Sequence, residues 1–190
     1  MGIKNLNKYL LNKCNETSIQ KIHLSKISGK TIVVDTSIYL YQFVSMNALL
    51  ENMYVMISLF KKYDVTPIFV FDGKPPIEKN ELLIKRSYNK KEAEEKYALL
   101  KNKLDNELDT SLHRQIINEM ESLKRQFVRV YSGDIELVKS LMKAYGVIYY
   151  DAIREADELC AYLTNRKDIW GCMSDDMDMF LYGCNIILRN

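Results

Sequence analysis

Short runs of strongly apolar, often β-branched residues recur along this chain, and between them apolar positions fall at helical spacing among charged ones. Thr31-Ile-Val-Val-Asp35 predicts a first strand, and Pro67-Ile-Phe-Val-Phe-Asp72 a second of the same build. Both runs close on an aspartate. Val147 to Tyr150, Ile169 to Ser174 and Asn185 to Leu188 predict three further strands. Helical spacing predicts helices over 4–13, where Leu6, Tyr9 and Leu10 share a face, over 38–63 as one long element, from Gly133 to Tyr145 and from Glu155 to Asn165, with a short one from Asp176. Alternation of this kind predicts an α/β fold, a twisted, mainly parallel sheet flanked by helices on both faces.

One stretch breaks the pattern. From Glu78 to about Arg125 the chain is highly charged, with Lys79, Lys85, Arg86, Lys90 and Lys91 ahead of a mixed Glu/Lys segment, and strong apolar positions are few. It reads as helical and largely solvent-facing. Neither an internal repeat nor a low-complexity linker divides the sequence, so 1–190 is expected to be a single domain.

Composition adds bounds rather than an identity. With 190 residues, 47% of them hydrophobic, and three prolines, the chain is long enough for one sizeable core. A net charge of +2 and a pI near 8.2 are too mild to announce a polyanionic partner, so any nucleic-acid surface must come from local clustering of Lys and Arg. Cys14, Cys160, Cys172 and Cys184 form no C-x-x-C pair and have no close His, which argues against zinc and suits free thiols in a reducing compartment. No run has the length of a signal peptide's apolar core or of a membrane span. The expectation is an intracellular protein without membrane contact, nuclear in a eukaryotic cell and cytoplasmic otherwise.

Six carboxylates carry the chemistry. Asp35 and Asp72 end apolar runs, Glu155 and Asp157 stand in E-A-D, and Asp176 and Asp178 in D-M-D. In open parallel sheets ligands bind beyond the carboxyl ends of the strands, so acids at those ends face one crevice. Taken singly, each could be a helix cap or a turn residue. Taken together, they repel one another and need cations or protons to coexist. Oxygen-only donors select a hard ion such as Mg²⁺, with Mn²⁺ as a substitute, and two such ions roughly 3.5–4 Å apart suit phosphodiester hydrolysis.

On these residues the chain resembles the flap endonuclease (XPG-type) structure-specific nucleases. The resemblance rests on M-G-I-K-N-L at the start, V-V-D-T-S-I-Y-L-Y-Q-F, F-V-F-D-G-K-P-P, the K-R-S of Lys85-Arg86-Ser87, E-A-D-E-L-C-A-Y-L from Glu155, and D-D-M-D-M-F-L-Y-G ending at Gly183. It implies a PIN-like nuclease core spanned by a helical arch, built from an N-terminal region (1–75), the arch (76–128) and an internal region (129–190). Asp35, Asp72, Glu155 and Asp157 would hold one metal ion, and Asp176 and Asp178 would serve a second. Lys79 and Arg86 match the basic pair that meets the scissile phosphate, and their i, i+7 spacing would put both on one helical face. The alternative for each is an ordinary solvated surface cation. Tyr41 matches an aromatic that stacks on a nucleobase, with a core tyrosine as the alternative. Gly2 matches a terminus beside the active site, and Lys85 joins the DNA-facing set.

The implied activity is divalent-metal-dependent cleavage of DNA at 5′ flaps or 5′ ends near single-strand/duplex junctions, by a monomer, in replication or repair. The family pattern goes on, beyond what Asn190 reaches, to a further metal-binding aspartate, a helix-two-turn-helix that grips duplex DNA and a tail that recruits the sliding clamp, so clamp binding is not expected of these residues. Two alternatives remain from the sequence. A PIN-type ribonuclease shares the acid after the first strand, and a catalytically impaired nucleic-acid-binding relic or fragment would account for the missing parts.

Overall fold

The computed structural model describes residues 3, 5–15, 17–104 and 110–189, with the side chains of all but 110 and 111. Its frame is a five-stranded parallel sheet in the order β3-β2-β1-β4-β5, formed by β1 (Thr31–Asp35), β2 (Thr66–Phe71), β3 (Ile148–Asp151), β4 (Gly171–Met173) and β5 (Ile187–Leu188). Central position explains the sequence of β1. Its side chains alternate between two cores, Ile32 and Val34 entering one and Val33 the other, so both faces demand apolar residues.

On the first face lie α2 (Thr36–Ser45), α3 (Leu49–Lys62) and α6 (Ser132–Ala144), which bring Tyr39, Leu40, Met53, Ile57, Phe60, Val138 and Met142 onto Phe69 and Phe71. The second face is covered by α7 (Ala156–Thr164), whose small residues Ala156, Cys160 and Ala161 let it lie close across the sheet on Val33, Val70 and Cys172. A peripheral α1 spans Leu6–Lys13. None of the helices among the described residues is long and apolar enough to cross a membrane.

The expected single helix over 38–63 is two helices. Asn47 adopts a left-handed conformation, φ 54°, after α2, with the Ala48 N–H donating to Phe43 O at 3.1 Å and the Asn47 N–H to Val44 O at 3.0 Å. That double bond pattern is a helix-terminating Schellman motif, with asparagine where glycine is more usual. Asp64 ends α3 and Gly146 ends α6 in the same way, at φ 56° and 65°. Asn47→Ala should therefore lower stability by about 1 kcal/mol in urea unfolding, through the left-handed backbone penalty, and Asn47→Gly should not. Equal stability of the two variants would contradict this account of the break.

The charged stretch forms α4 (Asn80–Leu104) and α5 (Thr110–Gln126), entered through a 3₁₀ turn at Ile77–Lys79. These two helices pack on each other rather than on the sheet, through Ala93, Ile116, Met120 and Leu123 and the edge-to-face rings of Tyr97 and Phe127. Most of the rest of α4 faces solvent, including Ile84 and Tyr88. Lys79 belongs to the 3₁₀ turn and not to α4, so the α-helical i, i+7 argument that placed it on one face with Arg86 does not apply.

Candidate active site

Strand order makes the site. The chain runs outward from β1 to β2 and β3, then returns to place β4 on the other side of β1, so the sheet has its switch point between β1 and β4. In open parallel sheets such a point, at the carboxyl ends of the strands, is where ligands bind. Asp35 is the last residue of β1, and Ser174, just after β4, donates its hydroxyl to Asp35 Oδ2 at 2.9 Å. Both residues are buried, Asp35 at 4% exposure and Ser174 at 0%.

Asp72 follows β2 and is held from two sides. Its Oδ2 accepts from the Ser37 hydroxyl on α2, and its Oδ1 accepts from the Ala156 N–H at 2.7 Å. Glu155 is the N-cap residue of α7, and Asp157 lies in that helix's first turn, where a negative side chain also meets unpaired N–H groups. Asp176 caps the 3₁₀ turn Met177–Phe180, its Oδ1 accepting from the Asp178 N–H at 2.9 Å. Asp178 in turn accepts from the Ile3 N–H at 2.8 Å, which ties the N-terminal segment to the site. Gly2 lies outside the described residues.

Electrostatics show which acids share a field. Burial, followed in weight by the charges of Asp157 and Asp72, pushes Asp35 up to about 7 even though the Ser174 hydroxyl opposes the shift. Burial also pushes Asp157 up to about 6, helped by Asp176, Asp72 and Glu155 and opposed by Lys79. Five of the six expected carboxylates thus act on one another around Asp157. Lys79 is the local countercharge. Its ammonium donates to both Glu155 oxygens, at 2.6 and 2.7 Å, and that hydrogen bonding is the main reason its pKa is raised.

As the side chains stand, no three Asp, Glu, His or Cys groups among the described residues form a ligating cluster. Glu155 is turned to Lys79, Asp72 to Ser37 and Ala156, and Asp178 to Ile3. The donor set nevertheless fits a hard divalent cation, because it is all carboxylate oxygen and Lys79 is the cation paired with it.

The remaining expected residues lie on the helical side. Tyr41 on α2 is 47% exposed, not a core residue, and the Lys90 ammonium sits 5.2 Å over its ring. Lys90 also donates to Val128 O at 2.9 Å, and its pKa is lowered by burial first and then by the charges of Arg129 and Arg86. Lys85 and Arg86 are exposed on α4, six and seven residues beyond Lys79, which lies in the 3₁₀ turn that leads into that helix. Sequence reasoning missed Ser37, Ser174 and Lys90. The two serines become visible only once strand register sets them beside acids 35 and 139 positions away.

Comparison with known proteins finds family matches at both ends of the chain. The XPG N-terminal domain family matches residues 1–93, and the XPG I-region family matches 146–190. A probable RAD2-like endonuclease of Invertebrate iridescent virus 6 is 29% identical over 234 residues, covering 99% of this chain and 56% of the viral protein. Flap endonuclease 1 of Glossina morsitans morsitans is 30% identical over 207 residues, covering 100% of this chain and 50% of the relative. Among solved structures, the catalytic core of Rad2 in complex with DNA substrate has the same fold, with a TM-score of 0.69 at 22% identity over 100% of this chain and 49% of that one. The chain spans about half the length of the curated relatives it matches. With both nuclease regions matched and the acids at the switch point of the sheet, the chain belongs to the XPG/Rad2 family of structure-specific 5′ nucleases.

Proposed function

We propose that this chain hydrolyses phosphodiester bonds of DNA at 5′ flaps or 5′ ends near single-strand/duplex junctions, in a divalent-metal-dependent reaction. The observation that carries the reading is the gathering of carboxylates from separate elements around buried Asp35 and half-buried Asp157, whose pKa values are raised first by burial and then by those neighbouring acids. Asp35, Asp72, Glu155 and Asp157 would hold one ion, and Asp176 and Asp178 a second. Mg²⁺ there, or Mn²⁺ in its place, would supply positive charge for the reacting phosphate and an acidified water.

The chain's own groups do the positioning. Ser174 and Ser37 fix the carboxylates of Asp35 and Asp72, and the Ala156 N–H holds the other Asp72 oxygen. Lys79 already sits at the carboxylates and can transfer from Glu155 to the scissile phosphate, where developing charge rewards a cation. Residues 76–128 would form the arch, with Lys85 and Arg86 on its DNA-facing side. The exposed Tyr41 ring offers a stacking platform for a nucleobase, which would displace the Lys90 ammonium from that ring face. Gly2, next to the segment that contacts Asp178, would lie beside the substrate.

The test is cleavage of a labelled 5′-flap duplex beside matched single-stranded DNA and RNA, in Mg²⁺, Mn²⁺ or EDTA. Cutting near the junction in metal and none in EDTA is expected. Equal cutting in EDTA would overturn the metal requirement, and a preference for unstructured RNA would favour the PIN-type ribonuclease.

A further inference from the structure

We propose that Gly73 is a positioning residue whose missing side chain lets two loops close on each other and so sets Asp72 against Glu155 and Asp157. The inference rests on the metal-site reading above. Gly73 follows Asp72 in the loop that leaves β2, and it lies flat against the loop that joins β3 to α7. A Cβ built there would stand 2.0 Å from Ala152 O, 2.7 Å from Ile153 O and 2.8 Å from the Ile153 carbonyl carbon. All three are backbone atoms, so no side chain can rotate away to make room.

Hydrogen bonds run along the same seam. The Ala152 N–H donates to Phe71 O at 2.9 Å, the Gly73 N–H to Arg154 O at 2.6 Å and the Lys74 N–H to Ile153 O at 3.3 Å. The Ala156 N–H then donates to Asp72 Oδ1 at 2.7 Å. The parallel ladder between β2 and β3 thus continues past the strand ends as a loop-to-loop clamp, and its last bond is made to a site carboxylate. Asp72 lies on one side of the clamp, and Glu155 and Asp157 follow immediately on the other. Widening the seam by even the width of a methyl group would separate carboxylates that must meet on one ion. Metal geometry depends on such supporting contacts nearly as much as on the ligands themselves.

Gly73→Ala is compared with Gly133→Ala, the same change in the first turn of α6 where a new Cβ meets nothing within 4 Å. The readouts are the Mg²⁺ concentration that half-saturates the rise in melting temperature, and the Mg²⁺ midpoint of flap cleavage. For Gly73→Ala both midpoints should rise about 10–100-fold with circular dichroism unchanged, and for Gly133→Ala neither should move. A second variant, Ala156→Pro, removes the N–H that holds Asp72 without touching Gly73; it also adds bulk where Ala156 packs on the sheet, so unchanged circular dichroism and metal-free melting temperature are required of it. Proline is compatible with the first position of a helix, and Glu155 before it already has the extended backbone, φ −79° and ψ 147°, that a following proline requires. It should raise the same midpoints, and it decides the matter alone if Gly73→Ala does not fold. Wild-type midpoints in the folded variants would overturn the clamp. A wild-type chain that neither cuts nor responds to Mg²⁺ would overturn the metal-site reading, and the clamp's role with it.

Discussion

Asp35→Asn is expected to abolish flap cleavage and, in the same protein, to raise stability in EDTA at pH 8. Asp35 is 4% exposed and its pKa moves from 3.8 to about 7 on folding, chiefly through burial. A shift of about three units corresponds to roughly 4 kcal/mol by which the ionised form disfavours the folded state. Asparagine keeps the size and an oxygen to accept from Ser174, and it removes the charge. Urea unfolding in EDTA at pH 8 should therefore show a gain of about 2–4 kcal/mol, discounted from that ceiling for an imperfect amide fit. A variant less stable than the parent there would show that the buried charge is not the cost we assign to it. The same groups set the pH dependence. Folded Asp35 and Asp157, raised to about 7 and about 6, keep protons that the unfolded chain has released. Because the unfolded state binds fewer protons, stability falls as pH rises from about 4 through 7 and then levels off. Mg²⁺ binds the deprotonated carboxylates, so its stabilising effect and the cleavage rate should climb between about pH 6 and 7. A metal-free stability that increased with pH across that interval would reverse the sign and contradict the assignment.

The fold was legible because a central parallel strand leaves little choice. With Ile32 and Val34 packed on one face of β1 and Val33 on the other, its sequence has to be an unbroken apolar run, and such runs stand out. The acids were legible for a related reason, since strand ends at a switch point are where polar side chains can gather. Breaks that depend on one backbone angle were not visible. Asn47 is unremarkable inside a helical pattern, and only its φ of 54° shows that α2 stops there. Long-range partners were equally hidden. That Ser174 would serve Asp35, that the Ala156 N–H would serve Asp72, and that Lys79 would sit on Glu155 all follow from register and loop contact, not from local spacing. Gly73 marks the boundary between the two cases. A glycine after a strand-ending aspartate reads as a turn, whereas its constraint is the Ala152 carbonyl from a segment 79 residues further on.

Lys79→Ala should slow cleavage by about 10²–10³-fold in kcat with a much smaller change in the KM for flap DNA. The ammonium now bridges both oxygens of Glu155, in a pair whose side chains are 35% and 21% exposed. A pair with that much solvent contact is worth only ~0–1 kcal/mol, which a divalent ion binding the same carboxylate can exceed. Metal entry would therefore displace Lys79 at little cost and leave it free beside the site, where the charge that grows on the phosphate in the transition state is its next partner. Two opposite effects should then appear in one variant. Removing the ammonium takes away a competitor for Glu155, so the Mg²⁺ midpoint of thermal stabilisation should fall, while the cation needed by the transition state is lost, so kcat should fall as well. Lys79→Arg should recover part of kcat, since it restores the charge but not the compact point geometry. An unchanged kcat with weaker Mg²⁺ binding would instead make Lys79 a structural partner of Glu155 and remove it from the chemistry.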